Sequence, residues 1–571
     1  MSSFSWVNTG LLAMFAVSLS ACAQSPAVSP LLPASEMLPL PPSKQELTSQ
    51  VLYQFLLGEI AGQRGELKLS AEAYTDLAAR TRDPGIAKRA TEVSLYARLT
   101  PLALKNARLW RELEPDSPKA LQTLSSLLIG GGRISEAKPY LQSWLKVGKT
   151  GEVFMQLHGL FARQKDKPAV FDLVADLSKD YADVPEAHFA LAQAAWHAGN
   201  GTKSLTEIDA TLRLKPDWTA VILFKAQVLQ QLQGEEAALG FFKDYLAGAP
   251  GAREVRLAYA KQLARSARFG ESRAQFEWLA KEMPDNPENY LAIGLIAMQT
   301  NDFESAEVNL AKALELGHPD EGTVRFHLGQ LEEARGNPEK ALTWYQSIAQ
   351  GHQRLDAQLR AALLLGKQGK IEQGLALVAA LTTEDDAERV RVVQTEAQIM
   401  REAKNYPGVV ATLSNALEKM PDAPDLLYDR AMAAEKTNQL DLMEADLRRL
   451  IKLKPGFAHA YNALGYTLAD RTSRIKEAIE LLDKALKLEP DDPFIQDSMG
   501  WALFKDKRYV EALDYLRRAH AARPDPEIAA HLGEVLWVSE QKDEARLIWQ
   551  GSLKSHPDNE SLRETISRFT P

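Results

Sequence analysis

From about residue 47 to the end of the chain, hydrophobic and polar positions follow the pattern of paired helices. No convincing strand alternation and no convincing Asn-Gly hairpin signal interrupts this pattern. Acidic and basic residues alternate throughout, as they do on the solvated faces of helices. The sequence therefore predicts an all-α fold of about fifteen helix pairs.

Three consecutive stretches near the C-terminus, residues 462–490, 498–524 and 531–557, repeat one design. A Gly, two small residues and a closing Pro recur at matching positions in each stretch: Gly465, Gly500 and Gly533; Ala478, Ala512 and Ala545; Ala485, Ala519 and Ser552; Pro490, Pro524 and Pro557. Two antiparallel helices pack closely only where small side chains face each other at their crossing, and Pro stops the second helix. The spacing therefore predicts close contact between the two helices of each pair.

This pattern resembles the tetratricopeptide repeat (TPR), a pair of helices about 34 residues long. Steps of that length backwards from Pro557 also reach Pro455, Pro421 and Pro284. The resemblance implies an α-solenoid that winds into a right-handed superhelix. We expect N-terminal helical hairpins over residues 47–115 and a central TPR-like solenoid over residues 116–383. A C-terminal TPR block over residues 384–557 and a capping helix over residues 558–571 should follow.

The N-terminus carries a targeting pattern. Gly10 to Ala21 is an uncharged apolar run of the length typical of a signal-peptide core, too short to span a bilayer. The run ends in Leu-Ser-Ala-Cys, which resembles the bacterial lipobox and implies a signal peptide over residues 1–21 and lipidation of Cys22, the only cysteine. No Lys or Arg precedes Cys22, which departs from the usual signal peptide. The alternative is a buried cysteine near an ordinary cleavage site.

Residues 22–46 then form a Pro-rich tether, which favours an extended chain over a helix. Ala23, rather than Asp, follows Cys22; by resemblance to enterobacterial sorting rules this favours the outer membrane. We expect a protein that is anchored by lipid in the outer membrane, on its periplasmic side.

Composition and motifs argue against several function classes. The net charge of −9 does not suit a broad nucleic-acid surface. The stretch from Gly199 to Ser204 misses the P-loop spacing, and the ten His residues show no metal-binding spacing. No Gly-x-Ser-x-Gly elbow occurs. We therefore expect no enzyme, no cofactor and no metal site.

What remains is a protein-binding surface. In TPR proteins the first helix of each pair lines the concave face, and the resemblance places these residues there: Tyr428, His459, Asn462, Tyr466, Asp470, Phe494, Asp497, Trp501, Phe504 and Trp537. Aromatic anchors with interspersed Asn and Asp suit an extended peptide. The alternative is that Trp501 and Phe504 pack against the neighbouring repeat as core.

The combination of lipobox, Pro-rich tether and long solenoid resembles the LbcA-type outer-membrane lipoproteins of proteobacteria. Most of the resemblance lies in the last 110 residues or so, with NALGYTLADRT and DSMGWALFKDKRYVEALDYLRRA. It implies an adaptor that binds a periplasmic carboxyl-terminal processing protease and brings it substrates, including cell-wall hydrolases. The alternative is an assembly factor for an envelope, export or pilus machine.

Overall fold

The computed structural model describes residues 47–569, and every regular element within that range is a helix. The predicted signal peptide, Cys22 and the tether lie outside the described residues. In the described range, 31 helices, α1 to α31, form fifteen consecutive pairs followed by one final helix. The all-α fold and the number of helix pairs predicted from the sequence are confirmed.

The helices follow one another with short turns. The first eight pairs are α1 (Ser49–Gln63) with α2 (Leu67–Thr81), α3 (Pro84–Tyr96) with α4 (Thr100–Leu113), α5 (Pro118–Gly130) with α6 (Ile134–Val147), α7 (Thr150–Phe161) with α8 (Lys167–Ser178), α9 (Pro185–His197) with α10 (Gly201–Leu214), α11 (Thr219–Gln233) with α12 (Glu235–Gly248), α13 (Arg253–Arg265) with α14 (Phe269–Glu282), and α15 (Pro287–Gln299) with α16 (Phe303–Glu315).

The remaining seven pairs continue to a final helix. They are α17 (Glu321–Ala334) with α18 (Pro338–Gln346), α19 (Arg354–Lys367) with α20 (Ile371–Ala379), α21 (Asp386–Glu402) with α22 (Tyr406–Lys419), α23 (Pro424–Lys436) with α24 (Leu440–Leu453), α25 (Ala458–Arg471) with α26 (Ile475–Leu488), α27 (Pro493–Lys505) with α28 (Tyr509–Ala522), and α29 (Pro526–Val538) with α30 (Lys542–Ser555); α31 is Glu560–Phe569.

The chain divides into two compact units, Met1–Asn309 and Leu310–Pro571. In the second unit, one hydrophobic core runs from Ala397 to Leu562 through consecutive helix pairs. Each pair thus buries its apolar face against the next, as in a repeat array. The domain boundaries drawn from the sequence and the right-handed superhelix stay predictions.

The small residues of the repeat lie where the two helices of a pair cross. A Cβ atom added to Gly465 would lie 2.7 Å from Leu482 Cγ, and one added to Gly500 would lie 2.6 Å from Leu516 Cγ and 3.1 Å from the Ala512 carbonyl oxygen. Carbon atoms in good contact are about 3.5–4.0 Å apart, so neither position has room for a methyl group. The predicted close contact of Gly500 with Ala512 is confirmed.

Most turns between paired helices use left-handed backbone. Gly199 after α9 and Lys507 after α27 have φ values of 79° and 65°. The stretch that resembles a phosphate loop is such a turn, because Asn200 caps α10 by accepting a hydrogen bond from the Lys203 amide at 3.1 Å. The turn interpretation of this stretch is confirmed. Across the described residues, no helix is both long and apolar enough to cross a membrane.

Candidate functional site

Most of the predicted partner-binding residues lie on the first helices of three successive pairs, α25, α27 and α29. α27 packs against both α25 and α29. Asn462 and Asp497 each stand three residues before the repeat Gly, whereas His531 stands one position further along, two residues before Gly533. Across the three helices, the side chains that come together are those of Asp470, Asp497, Trp501 and His531.

An ion pair links the second and third of these helices. The Nδ1 atom of His531 lies 2.9 Å from a carboxylate oxygen of Asp497, and both side chains are largely buried. Burial lowers the pKa of His531, but the carboxylate of Asp497, with smaller contributions from Glu527 and Glu534, outweighs it and leaves the pKa above its usual value. The imidazolium form, in which both ring nitrogens donate, is therefore stabilised in the folded protein.

Trp501 occupies the centre of this cluster. Its ring stacks on the His531 ring, with centroids 4.2 Å apart, and lies 5.2 Å from the ring of Phe504. Its indole N–H donates to Asp470 at 3.0 Å, across to α25, and the ammonium group of Lys505 lies 3.3 Å from the same carboxylate. Trp501 thus ties α25, α27 and α29 together, and only 6% of it is exposed.

Tyr466 lies at the edge of the cluster, half-buried, with its ring 6.0 Å from that of His531. Burial raises the pKa of its phenol, and the nearby carboxylates of Asp470 and Asp497 raise it further. The phenol therefore stays protonated at neutral pH and is available as a hydrogen-bond donor.

Comparison with known proteins identifies the repeat. The tetratricopeptide-repeat family model matches residues 291–354 and 428–493. A TPR repeat-containing protein of Pseudomonas aeruginosa, PA4667, is 32% identical over 520 residues, which cover 91% of this chain and 88% of that protein. The chain belongs to the tetratricopeptide-repeat proteins.

More distant relatives share parts of the array. Human mitochondrial import receptor subunit TOM70 is 25% identical over 236 residues, which are 38% of each chain. Among solved structures, the TPR protein TTC0263 of Thermus thermophilus aligns with 30% of this chain and 94% of its own, at 20% identity and a TM-score of 0.28.

The other TPR groove positions lie outside the Trp501 cluster. Tyr428 packs edge-on against Phe457, in the turn before α25, with centroids 5.4 Å apart. Trp537 stacks on Trp549, with centroids 5.7 Å apart, near the end of the array. Phe494, which is 38% exposed, lies under the guanidinium group of Arg523, 4.9 Å away.

His459 and Asn462 have different surroundings. His459 lies beside two acidic residues, Glu489 and Asp492, and their ligand atoms all come within 4.8 Å of one another. Asp492 is already the N-cap of α27, where one carboxylate oxygen accepts hydrogen bonds from two backbone amides at 2.9 Å. The Oδ1 atom of Asn462 is buried and has no hydrogen-bond partner in the described chain.

The geometry therefore separates the predicted residues by role. Trp501 and Asp497 are buried and satisfied by neighbouring repeats, whereas Tyr466 and Phe494 keep part of their surface in water. Burial of Trp501 favours the core interpretation for that residue. Sequence reasoning missed His531 and Lys505, and the repeat column of Asp497 does not lead to His531, which lies one position further along.

A second candidate surface, also missed from the sequence, is the outward face of α1. Leu52, Leu56 and Ile60 follow one another at four-residue spacing on that face and are 42%, 46% and 47% exposed. Within residues 47–569, nine of the twenty exposed large hydrophobic side chains lie between Leu47 and Tyr96. The opposite face of α1 packs on α2, where Gly58 fits against the ring of Tyr74. An exposed apolar cluster of this kind is typical of an interaction site.

Proposed function

We propose that this TPR protein is a non-catalytic adaptor, lipid-anchored in the outer membrane and facing the periplasm. It recruits a carboxyl-terminal processing protease and brings it substrates such as cell-wall hydrolases. TPR proteins typically act as protein-binding scaffolds, and the relationship to the Pseudomonas TPR protein extends over nearly the whole chain. The lipobox-like sequence before Cys22 and the Pro-rich segment after it support the anchor.

The observation that carries the protein-binding part of this proposal is the apolar face of α1. A helix that is hydrophobic on both sides is normally covered on both sides. On α1 the outward stripe of Leu52, Leu56 and Ile60 is left in water, next to the exposed Tyr53. This stripe is the surface on which we expect a partner protein to dock.

Affinity capture from detergent-solubilised envelopes tests the adaptor. The full-length protein is expected to recover a processing protease and cell-wall hydrolases. Replacing Leu52, Leu56 and Ile60 together by Ser should lower protease recovery by about tenfold or more, because it removes an apolar anchor from the interface. The recovery of export or pilus components, with no protease, would contradict the adaptor and favour the assembly factor.

A matched control uses exposed apolar residues elsewhere. Val510 and Leu547 are 84% and 70% exposed on second helices of the last pairs. Their replacement by Ser removes comparable exposed apolar side chains but should leave recovery unchanged. Equal losses in both variants would show that general hydrophobicity, and not the α1 face, holds the partner.

The anchor is tested separately. Cys22→Ala removes the thiol that would carry the lipid, so the variant should leave the outer-membrane fraction. A variant that fractionates with the membrane as completely as the native protein would contradict lipidation at Cys22.

A further inference from the structure

A cavity of about 120 Å³ opens between α7, α8 and α9 in the first unit. Its walls are apolar and come from all three helices: Leu157, Phe161, Val170, Val174, Ala190 and Ala194. An engineered apolar cavity of about 150 Å³ holds one benzene molecule. The space therefore suits a single isobutyl or phenyl group and is too small for the full length of a fatty-acid chain.

Polar side chains gather at the rim of this cavity. His158 and His197 line it with their rings stacked on each other, centroids 5.4 Å apart, and Lys167 and Gln193 also line it. Partial burial and the charge of Lys167 lower the pKa of both imidazoles, so both are neutral at neutral pH. Each neutral ring offers one N–H donor and one acceptor to a ligand.

The rim is also cationic. Lys167 donates to the Ala162 carbonyl oxygen at 3.0 Å but forms no ion pair with any described residue. The turn that leads into α8 carries two further exposed cations, Arg163 and Lys165, and neither has a carboxylate partner in the described chain. Asp166 lies in the same turn, so residues 163–167 carry three cations and one carboxylate, and Lys167 brings this local excess of positive charge to the cavity, which favours an anion.

We propose that this cavity binds a small apolar acid, with the apolar group in the cavity and the carboxylate at Lys167. The ligand is either a free organic acid or the last residue of a polypeptide, since both present an apolar group next to a carboxylate. The neutral imidazoles of His158 and His197 donate hydrogen bonds to the second carboxylate oxygen or to an adjacent amide. This site is independent of the α1 face.

Ligand-observed NMR with the full-length protein tests the site, with N-acetyl-leucine as the probe. A ligand of this size is expected to bind with a dissociation constant of about 1 mM. N-acetyl-leucinamide, which lacks the charge, and N-acetylglycine, which lacks the apolar group, should each bind about tenfold more weakly. The proposal would be overturned if the amide bound as tightly as N-acetyl-leucine. It would also be overturned if N-acetyl-leucine showed no binding at a concentration about ten times the expected dissociation constant.

Two variants assign the binding to this cavity. Lys167→Gln should weaken N-acetyl-leucine binding by about tenfold, whereas Lys119→Gln, at an exposed lysine of α5, should leave it unchanged. Unchanged binding in Lys167→Gln would overturn the assignment. Because Lys167 lies at the rim, circular dichroism should show the fold of the variant intact.

The same assay distinguishes the two sources of the ligand. A hexapeptide that ends in leucine with a free carboxylate should bind at least about tenfold more tightly than N-acetyl-leucine if the site takes a polypeptide terminus, because its backbone adds contacts along the rim. Equal affinity of the two would assign the site to a free organic acid. In either case the Lys167→Gln variant must lose the binding.

Discussion

Replacing Gly500 by Ala is a direct test of how the helix pairs pack. The added Cβ would lie 2.6 Å from Leu516 Cγ and 3.1 Å from the Ala512 carbonyl oxygen. A carbon pair needs about 3.5–4.0 Å, so the two helices must separate by about 1 Å, or Leu516 must leave its rotamer. A rotamer change relieves only the contact with Leu516; the contact with the Ala512 backbone also needs a small shift of the helices.

The expected cost follows from two opposing effects. Overpacking a close contact typically destabilises a protein by about 1–3 kcal/mol. Ala in place of Gly inside a helix contributes about 1 kcal/mol in the opposite direction, because it restricts the unfolded chain. We therefore expect Gly500→Ala to lower the free energy of unfolding by up to about 2 kcal/mol.

Gly551→Ala is the matched control. Gly551 lies in the middle of α30, is exposed, and has open space where a Cβ would be added. This substitution should raise stability by up to about 1 kcal/mol. Urea unfolding followed by circular dichroism gives the ranking, and amide hydrogen exchange in α27 and α28 localises the effect, since repeat arrays need not unfold in one step. Changes of the same sign in both variants would refute the close-packing argument.

Three further predictions concern single side chains. Trp501→Ala should lower the free energy of unfolding by about 3–5 kcal/mol, because it leaves a cavity and removes the N–H that donates to Asp470, while partner capture at low temperature survives. A stable variant that loses its partner would instead support the groove interpretation. Lys507→Gly should stabilise the protein by about 1 kcal/mol in urea unfolding, because Lys507 is held at a φ of 65°; a loss of stability would show that its side chain contributes more than the strain costs. Burial lowers the pKa of His327 from 6.5 to about 4, so between these two pH values the unfolded chain binds a proton that the folded chain does not bind. The free energy of unfolding should therefore fall by up to about 3 kcal/mol as the pH drops from about 6.5 to 4, and His327→Gln should reduce that loss. Identical stability profiles against pH for the variant and the native protein would contradict this prediction.

The helix pairs could be predicted from the sequence because the contacts that define them are periodic. Gly465, Gly500 and Gly533 each meet a side chain of the second helix in the same pair, so one geometric requirement recurs at fixed spacing. A requirement of that kind appears directly in the residue types. Pro493 and Pro526, in the first turns of α27 and α29, fix the helix starts in the same way.

Contacts between pairs could not be predicted in the same way. The stacking of Trp501 on His531 and its hydrogen bond to Asp470 join residues of three different repeats, and each repeat supplies a different residue type. Nothing periodic marks such a cluster. The apolar face of α1 was missed for a related reason: its residues have the composition of a core helix, and only the folded chain shows that Leu52 and Leu56 face water.

The environment of Trp501 bears on where a partner can bind first. To expose this ring, a partner must separate it from Asp470 and His531, which breaks a hydrogen bond to a carboxylate, typically worth about 1.5–3 kcal/mol, and a ring stack. The stripe of Leu52 and Leu56 on α1 already lies in water, so covering it releases hydration free energy without breaking any contact. A partner that docked beside the partly exposed Tyr466 would meet a side chain that the Trp501 cluster holds in one orientation, which would lower the entropy lost on docking. Partner docking is therefore expected to begin at the α1 face, where the apolar side chains are already exposed.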